Sequence, residues 1–248
     1  MTGIADGTST WIRRFHPAPA PAPRLACFPH AGGAASYYFP VSKALGPDIE
    51  VLAVQYPGRQ DRHAEPCLSS VEEMAERAVA GLRPWAAEAP LALFGHSMGA
   101  SVAFEVARRL ESEGAPVRTL FVSGRTAPSR TRNEGVHALG DADFLAALAE
   151  LDESTAAVLA NEELLRMAMP SLRADYRAAE TYTYRPGSDV SCPVVAMIGT
   201  DDPKVTADEA DAWRKHTSGP FELHTFPGAH FYLNAEAANV QRLIRQRM

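Results

Sequence analysis

The pentapeptide Gly95-His96-Ser97-Met98-Gly99 limits what this chain can fold into more than any other stretch. It ends an apolar run, Leu91 to Gly95, and a helical pattern over 98–112 follows with no loop between. Passing from strand to helix that abruptly strains the backbone of the residue at the turn. It also needs flanking residues without side chains, because a Cβ there collides with strand or helix. The spacing G-x-S-x-G meets both needs, and it lifts the Ser97 hydroxyl above the edge of a sheet. The helix that follows points its free N–H groups and its dipole at the same place, favouring developing negative charge.

The rest of the chain supplies that sheet. RLACF (24–28), IEVLAVQY (49–56), LALFG (91–95), VRTLFVSG (117–124), PVVAMIG (193–199) and FELHTF (221–226) read as strands, separated by helical patterns. One of these, SVEEMAERAVAGLRPW (70–85), opens with Ser70 and Glu73 at capping-box spacing. Alternation of this kind predicts an α/β fold with a mostly parallel central sheet flanked by helices. Between 125 and 187 the rhythm changes to helical patterns alone (DADFLAALAEL, EELLRMAM, SLRADYRAAETY), which places a helical cap or lid above the sheet. Residues 1–23, with the Pro/Ala alternation HPAPAPAP, read as a flexible lead-in that is extended over the proline stretch, and 24–248 as one domain.

Composition excludes several alternatives. The 248 residues carry a net charge of -6, which argues against general nucleic-acid binding. No apolar stretch approaches membrane-spanning length, and the N-terminus has no signal-peptide core. Cys27, Cys67 and Cys192 are odd in number and far apart, as expected of reduced thiols. A soluble, cytoplasmic protein, monomeric and without metal or cofactor, is the expectation.

A serine hydroxyl becomes a nucleophile only beside a base, and the base needs an orienting acid. Downstream of Ser97 the histidines are His137, His216, His224 and His230. Only His230, in PGAHFYL between the last strand and the last helix, falls at the correct sheet edge. The acid should end the preceding strand, where GTDDP offers Asp201 and Asp202. Asp202 is preferred, because such turns place the acid three residues beyond the glycine; Asp201 then braces the loop. An oxyanion hole needs two backbone donors: Met98 N–H, and Ala31 N–H in the loop FPHAGG after the first buried strand. His30 reads as a loop brace, and Tyr37, Tyr38, Met98 and Phe231 as candidate pocket walls. Arg125, Arg130 and Arg132, in GRTAPSRTR at the mouth of the cap, form a candidate basic docking patch.

Several motifs together resemble one family. FPHAGGAASYY, QYPGRQDR, FGHSMGA, MPSLRADYRAAETY and GTDDP…FPGAHFYL are similar to the stand-alone type II thioesterases that accompany polyketide synthases and non-ribosomal peptide synthetases. The resemblance runs from about residue 24 to the last helix and implies the α/β-hydrolase fold. It further implies hydrolysis of acyl groups from the phosphopantetheine arm of acyl or peptidyl carrier proteins, which would be the partners. That arm belongs to the partner, so no cofactor of the chain's own is implied. A general carboxylesterase or lipase, a non-catalytic hydrolase-fold binding protein, and an enzyme of cyclising release are the alternatives that the motifs leave open.

Overall fold

A computed structural model describes residues 10–150 and 161–248 except 131, 133 and 188. Seven strands form one sheet: β1 (Ile12–Arg13), β2 (Arg24–Phe28), β3 (Glu50–Val54), β4 (Leu91–His96), β5 (Val117–Ser123), β6 (Val194–Gly199) and β7 (Phe221–Phe226). Their order is β1-β3-β2-β4-β5-β6-β7, parallel throughout except for β1, which pairs antiparallel with β3 at the edge. The chain runs from β2 outward to β3, then returns to pair β4 on the other side of β2. The strand order reverses there, so the loop leaving β2 and the turn leaving β4 meet at one crevice at the C-terminal ends of the strands.

Period-two alternation assigns the core residues to the two faces. Ala26 and Phe28 of β2, with Leu93 of β4, pack under α2 (Val71–Glu88) and α3 (Met98–Ser112). Leu25 and Cys27, with Ala92 and Phe94, pack against α1 (Phe39–Leu45) and the C-terminal helix Ala237–Arg247. Both faces are thereby covered, as a parallel sheet requires. At Ser70 only half of the expected capping box forms: its hydroxyl accepts from Glu73 N–H but donates to Glu72.

The lead-in needs a correction. Residues 1–9 lie outside the described residues, but from residue 10 the chain belongs to the domain. Trp11 and Ile12 are buried, and Ile12 pairs with Val54 across the β1–β3 ladder. An indole of that size gains more from the apolar groove beside Tyr56 than the chain loses by being ordered, and Arg62 lies over its ring. Among the described residues between β5 and β6 there is no strand; α4 (Asp141–Ala149) and α5 (Glu162–Thr181) form the lid. The two helical patterns read at 162–169 and 171–182 fall on one continuous helix, Glu162–Thr181, that contains Pro170. Residues 151–160 of the lid insertion lie outside the described residues. Beyond β6 come two short α-helices, α6 (Ala207–Asp211) and α7 (Tyr232–Ala235), with a 3-10 turn over Ala212–His216 after the first, before the C-terminal helix, α8 (Ala237–Arg247).

Candidate active site

Ser97 sits at φ 53°, ψ -121°, a left-handed conformation that a residue with a side chain rarely adopts. Its neighbours explain how that is possible. A Cβ on Gly95 would fall 2.1 Å from the carbonyl oxygen of Gly99, and one on Gly99 would fall 2.1 Å from that of Phe28. The elbow, the start of α3 and the end of β2 are therefore in backbone contact. Ser97 N–H donates to Ser123 O at 2.8 Å, tying the elbow to β5. Met98 is the first residue of α3, so its N–H has no intrahelical partner, while its side chain is buried.

The loops beyond β6 and β7 bring the next two residues together. His230 Nδ1 lies 3.0 Å from each carboxylate oxygen of Asp202, and both residues are buried. Asp202 Oδ1 also accepts from Lys204 N–H at 2.8 Å, which fixes the carboxylate. Gly199 permits this meeting, since a Cβ there would fall 2.3 Å from the carbonyl oxygens of Gly228 and Ala229. Asp201 faces away: its carboxylate accepts from the exposed Thr200 hydroxyl, and its N–H donates to Gly228 O. With Nδ1 engaged by Asp202, Nε2 of His230 is the nitrogen left for a serine hydroxyl. Ser97, His230 and Ala31 line the same cavity of about 400 Å³.

Around these residues lies a buried polar layer with no obvious sequence mark. His96 Nδ1 is 2.9 Å from Ser123 Oγ, which is 2.7 Å from the Tyr232 hydroxyl. Burial, then the neighbouring His230 and His30, hold the His96 imidazole well below its usual range, so it stays neutral. The His30 ring stands edge-on to Tyr37, Phe231 and His96, the place of a loop brace.

The candidate pocket walls are placed differently from the expectation. Tyr38 and Met98 are core residues, with the Tyr38 hydroxyl donating to Phe28 O, and neither Tyr37 nor Phe231 lines the cavity. Its far walls come from the lid and from the loop after β5: Tyr176, Tyr182, Tyr184, Arg125, Glu134 and Glu180. The three arginines expected to form a patch all line this cavity but are engaged differently. Arg125 is turned inward, donating to Ser101 Oγ at 3.0 Å and to Ala179 O at 2.7 Å, and burial lowers its pKa. Arg132 forks onto Glu209, whose carboxyl it holds down at about 2. Arg130 alone of the three is exposed at the cavity mouth. Each internal partner gives Arg125 or Arg132 a charge-assisted bond that water alone would not hold in place.

Among the described residues no group of acidic, histidine or cysteine side chains is arranged to hold a metal ion. No helix there is long and apolar enough to cross a membrane.

A mostly parallel sheet with helices on both faces, a serine elbow after the strand beside β2 and a helical lid define the α/β-hydrolase class. Within that class the chain belongs to the thioesterase family: the family model described as "Thioesterase domain" matches residues 23–248. It is accordingly a hydrolase acting on acyl thioesters. Thioesterase PikA5 of Streptomyces venezuelae is 56% identical over 225 residues, covering 90% of this chain and 80% of that one. The solved structure of the type II thioesterase BorB from the borrelidin biosynthetic cluster is 52% identical with a TM-score of 0.90, over 97% of this chain and 98% of that one. YbtT, the type II thioesterase of the Yersiniabactin NRPS/PKS biosynthetic pathway, is 30% identical with a TM-score of 0.86, over 96% and 97%.

Proposed function

We propose that the chain removes acyl groups from the phosphopantetheine arm of carrier proteins in polyketide or peptide assembly lines, clearing stalled or aberrant units. The observation that carries the chemistry is the buried Asp202–His230 pair in the cavity that Ser97 also lines. Ser97 Oγ attacks the thioester carbonyl as His230 Nε2 takes its proton, and Asp202 holds the imidazole in that tautomer and stabilises its cation. The oxyanion is bound by Ala31 N–H and Met98 N–H, donors fixed before the reaction begins. Collapse breaks the C–S bond, and His230 returns the proton to the leaving thiolate. Water, activated by the same imidazole, then attacks the acyl-serine and releases the acid.

The relatives named above as type II thioesterases of such clusters support the assignment of carrier-borne substrates. The phosphopantetheine arrives on the partner, so the reading needs no cofactor of the chain's own. Every residue it uses comes from one chain, which suits a monomer working in the cytoplasm beside the synthase.

The test is a ratio of specificity constants: a short acyl chain on a carrier protein against the same acyl group as an oxygen ester. The expected kcat/KM ratio favours the carrier thioester by at least about tenfold, equivalent to ~1.4 kcal/mol of transition-state binding. A ratio below one would make the chain a general carboxylesterase and refute the proposal.

A further inference from the structure

Arg59 and Asp175 lie 116 positions apart and form an ion pair with almost no access to solvent. Arg59 Nη1 donates to Asp175 Oδ2 at 2.6 Å and Nη2 donates to Oδ1 at 2.8 Å. The pair is not self-contained. Asp175 Oδ2 also accepts from Gly32 N–H at 2.7 Å, and Arg59 Nη1 also donates to Gly33 O at 3.0 Å. Asp175 belongs to the lid helix α5, and Gly32 and Gly33 belong to the loop whose Ala31 lines the cavity.

The local geometry shows what this controls. Gly33 N–H donates to His30 O at 2.9 Å, closing a four-residue turn with Ala31 and Gly32 at its centre. Gly32 stands at φ +75°, the value a type II turn demands at its third residue and one that favours glycine. In such a turn the peptide plane between the two central residues can flip. Here the N–H of that plane is Gly32's, and Asp175 holds it. The His30–Ala31 plane, which carries the Ala31 N–H, is pinned at its carbonyl by Gly33. Gln55 secures the far side, accepting from Ala35 N–H at 2.7 Å and donating to Arg59 O at 3.1 Å.

A buried ion pair is a weak source of net stability, because desolvating two charges offsets most of their attraction. Burial raises the Asp175 carboxyl pKa, against the pull of Arg59 and of Gly32 N–H. An apolar pair of similar volume would pack the lid as well, but it would leave the turn free.

We propose that Arg59 and Asp175 are positioning residues through which the lid helix sets the direction of the Ala31 N–H, and so the strength of the oxyanion hole. The proposal rests on the reading of Ser97 as nucleophile and Ala31 as oxyanion donor. It joins YPGR and RADY in one role, since each supplies half of a clamp on FPHAGG. The lid helix at Asp175 is then part of the catalytic frame rather than a flap above it.

The test uses Asp175→Asn and Arg59→Lys in the full chain, with three readouts. These are kcat and KM on an acyl thioester, inhibition by a matched trifluoromethyl ketone, and the stoichiometry of Ser97 labelling by a fluorophosphonate. The ketone forms a tetrahedral serine adduct whose oxyanion needs the same donors, so it reports on the hole itself. Losing an oxyanion donor outright costs about 10²–10³ in kcat, so a misdirected donor should cost about 10- to 100-fold. Expected is that fall in kcat with KM changed less than about threefold, a matching rise in the ketone's inhibition constant, and one label per chain. The proposal is overturned if kcat and the inhibition constant stay within about twofold of the original chain, or if kcat falls only with the labelled fraction. Should Asp175→Asn give no folded protein, Arg59→Lys decides by the same readouts, since lysine keeps the charge but lacks the fork that spans Asp175 and Gly33. Absence of labelling at Ser97 in the original chain would instead strike the nucleophile reading, so the two failures are distinguishable.

Discussion

The strand-end machinery and the outer part of the lid are held together by different means. At the strand ends, backbone meets backbone: Gly95, Gly99 and Gly199 each sit where a Cβ would lie 2.1–2.3 Å from a carbonyl oxygen. The side chains of Asp202, His230 and His96 are buried in the same layer. In the outer lid, Val136, Phe144 and Leu148 make only a small cluster, while Leu139, Leu164 and Met167 remain exposed. Positions fixed by steric exclusion tolerate no drift, which suits chemistry that fails when atoms move by about an ångström. A surface with few buried contacts can differ between relatives without disturbing that chemistry, and so suits the choice of acyl group. Asp175 belongs to the lid by sequence but to the machinery by contact.

The heaviest loss should come from the strand-end region. Replacing Asp202 by Asn keeps the shape but leaves His230 in the wrong tautomer, and kcat should fall on the order of 10³–10⁴-fold. The melting temperature should change little. A kcat within about tenfold of the original would mean that Asp202 is not the orienting acid.

A second expectation concerns acid. The unfolded chain protonates His96 near its ordinary pKa, whereas the folded chain, with that pKa depressed, does not. The stability His96 allows is therefore full above the unfolded value and declines as pH falls below it. Between about pH 6.5 and 5.5 it should contribute a loss of about 1 kcal/mol, read from urea midpoints. In His96→Gln that part of the slope should vanish; an unchanged slope would assign the acid sensitivity elsewhere.

The outer lid should respond least. Met167 is 66% exposed, so Met167→Gln should leave stability within about 0.5 kcal/mol and turnover of a small thioester unaltered. A large loss of stability there would erase the contrast between the two regions.

The strand-end region was readable from sequence because each part carries a local mark. Ser97 lies between a strand and a helix, Asp202 three residues past the glycine that closes β6, and His230 before the last helices. Of the two aspartates that the sequence offers, Asp202, the one preferred there, is the one whose carboxylate meets His230. What escaped sequence reasoning depends on distant pairing. YPGR and RADY stood out as motifs, yet nothing local says that Arg59 and Asp175 meet on Gly32. The pocket walls were misplaced for a related reason. An aromatic pair such as Tyr37-Tyr38 near the site suits a wall and a core equally, and the Phe28 carbonyl settled Tyr38 in the core. Arg125 and Arg132 line the same cavity as Arg130 but are tied down, because Ala179 and Glu209, far along the chain, accept from them.

The proposed chemistry depends throughout on acyl groups passing through Ser97, and that passage can be trapped. A carrier protein loaded with a slowly released acyl chain is mixed with the enzyme, quenched within its first turnover, and analysed by intact and peptide mass spectrometry. Expected are one acyl mass added per chain, mapped to the peptide containing Ser97, and no adduct or turnover in Ser97→Ala. An adduct on another residue, or undiminished hydrolysis by Ser97→Ala, would contradict it.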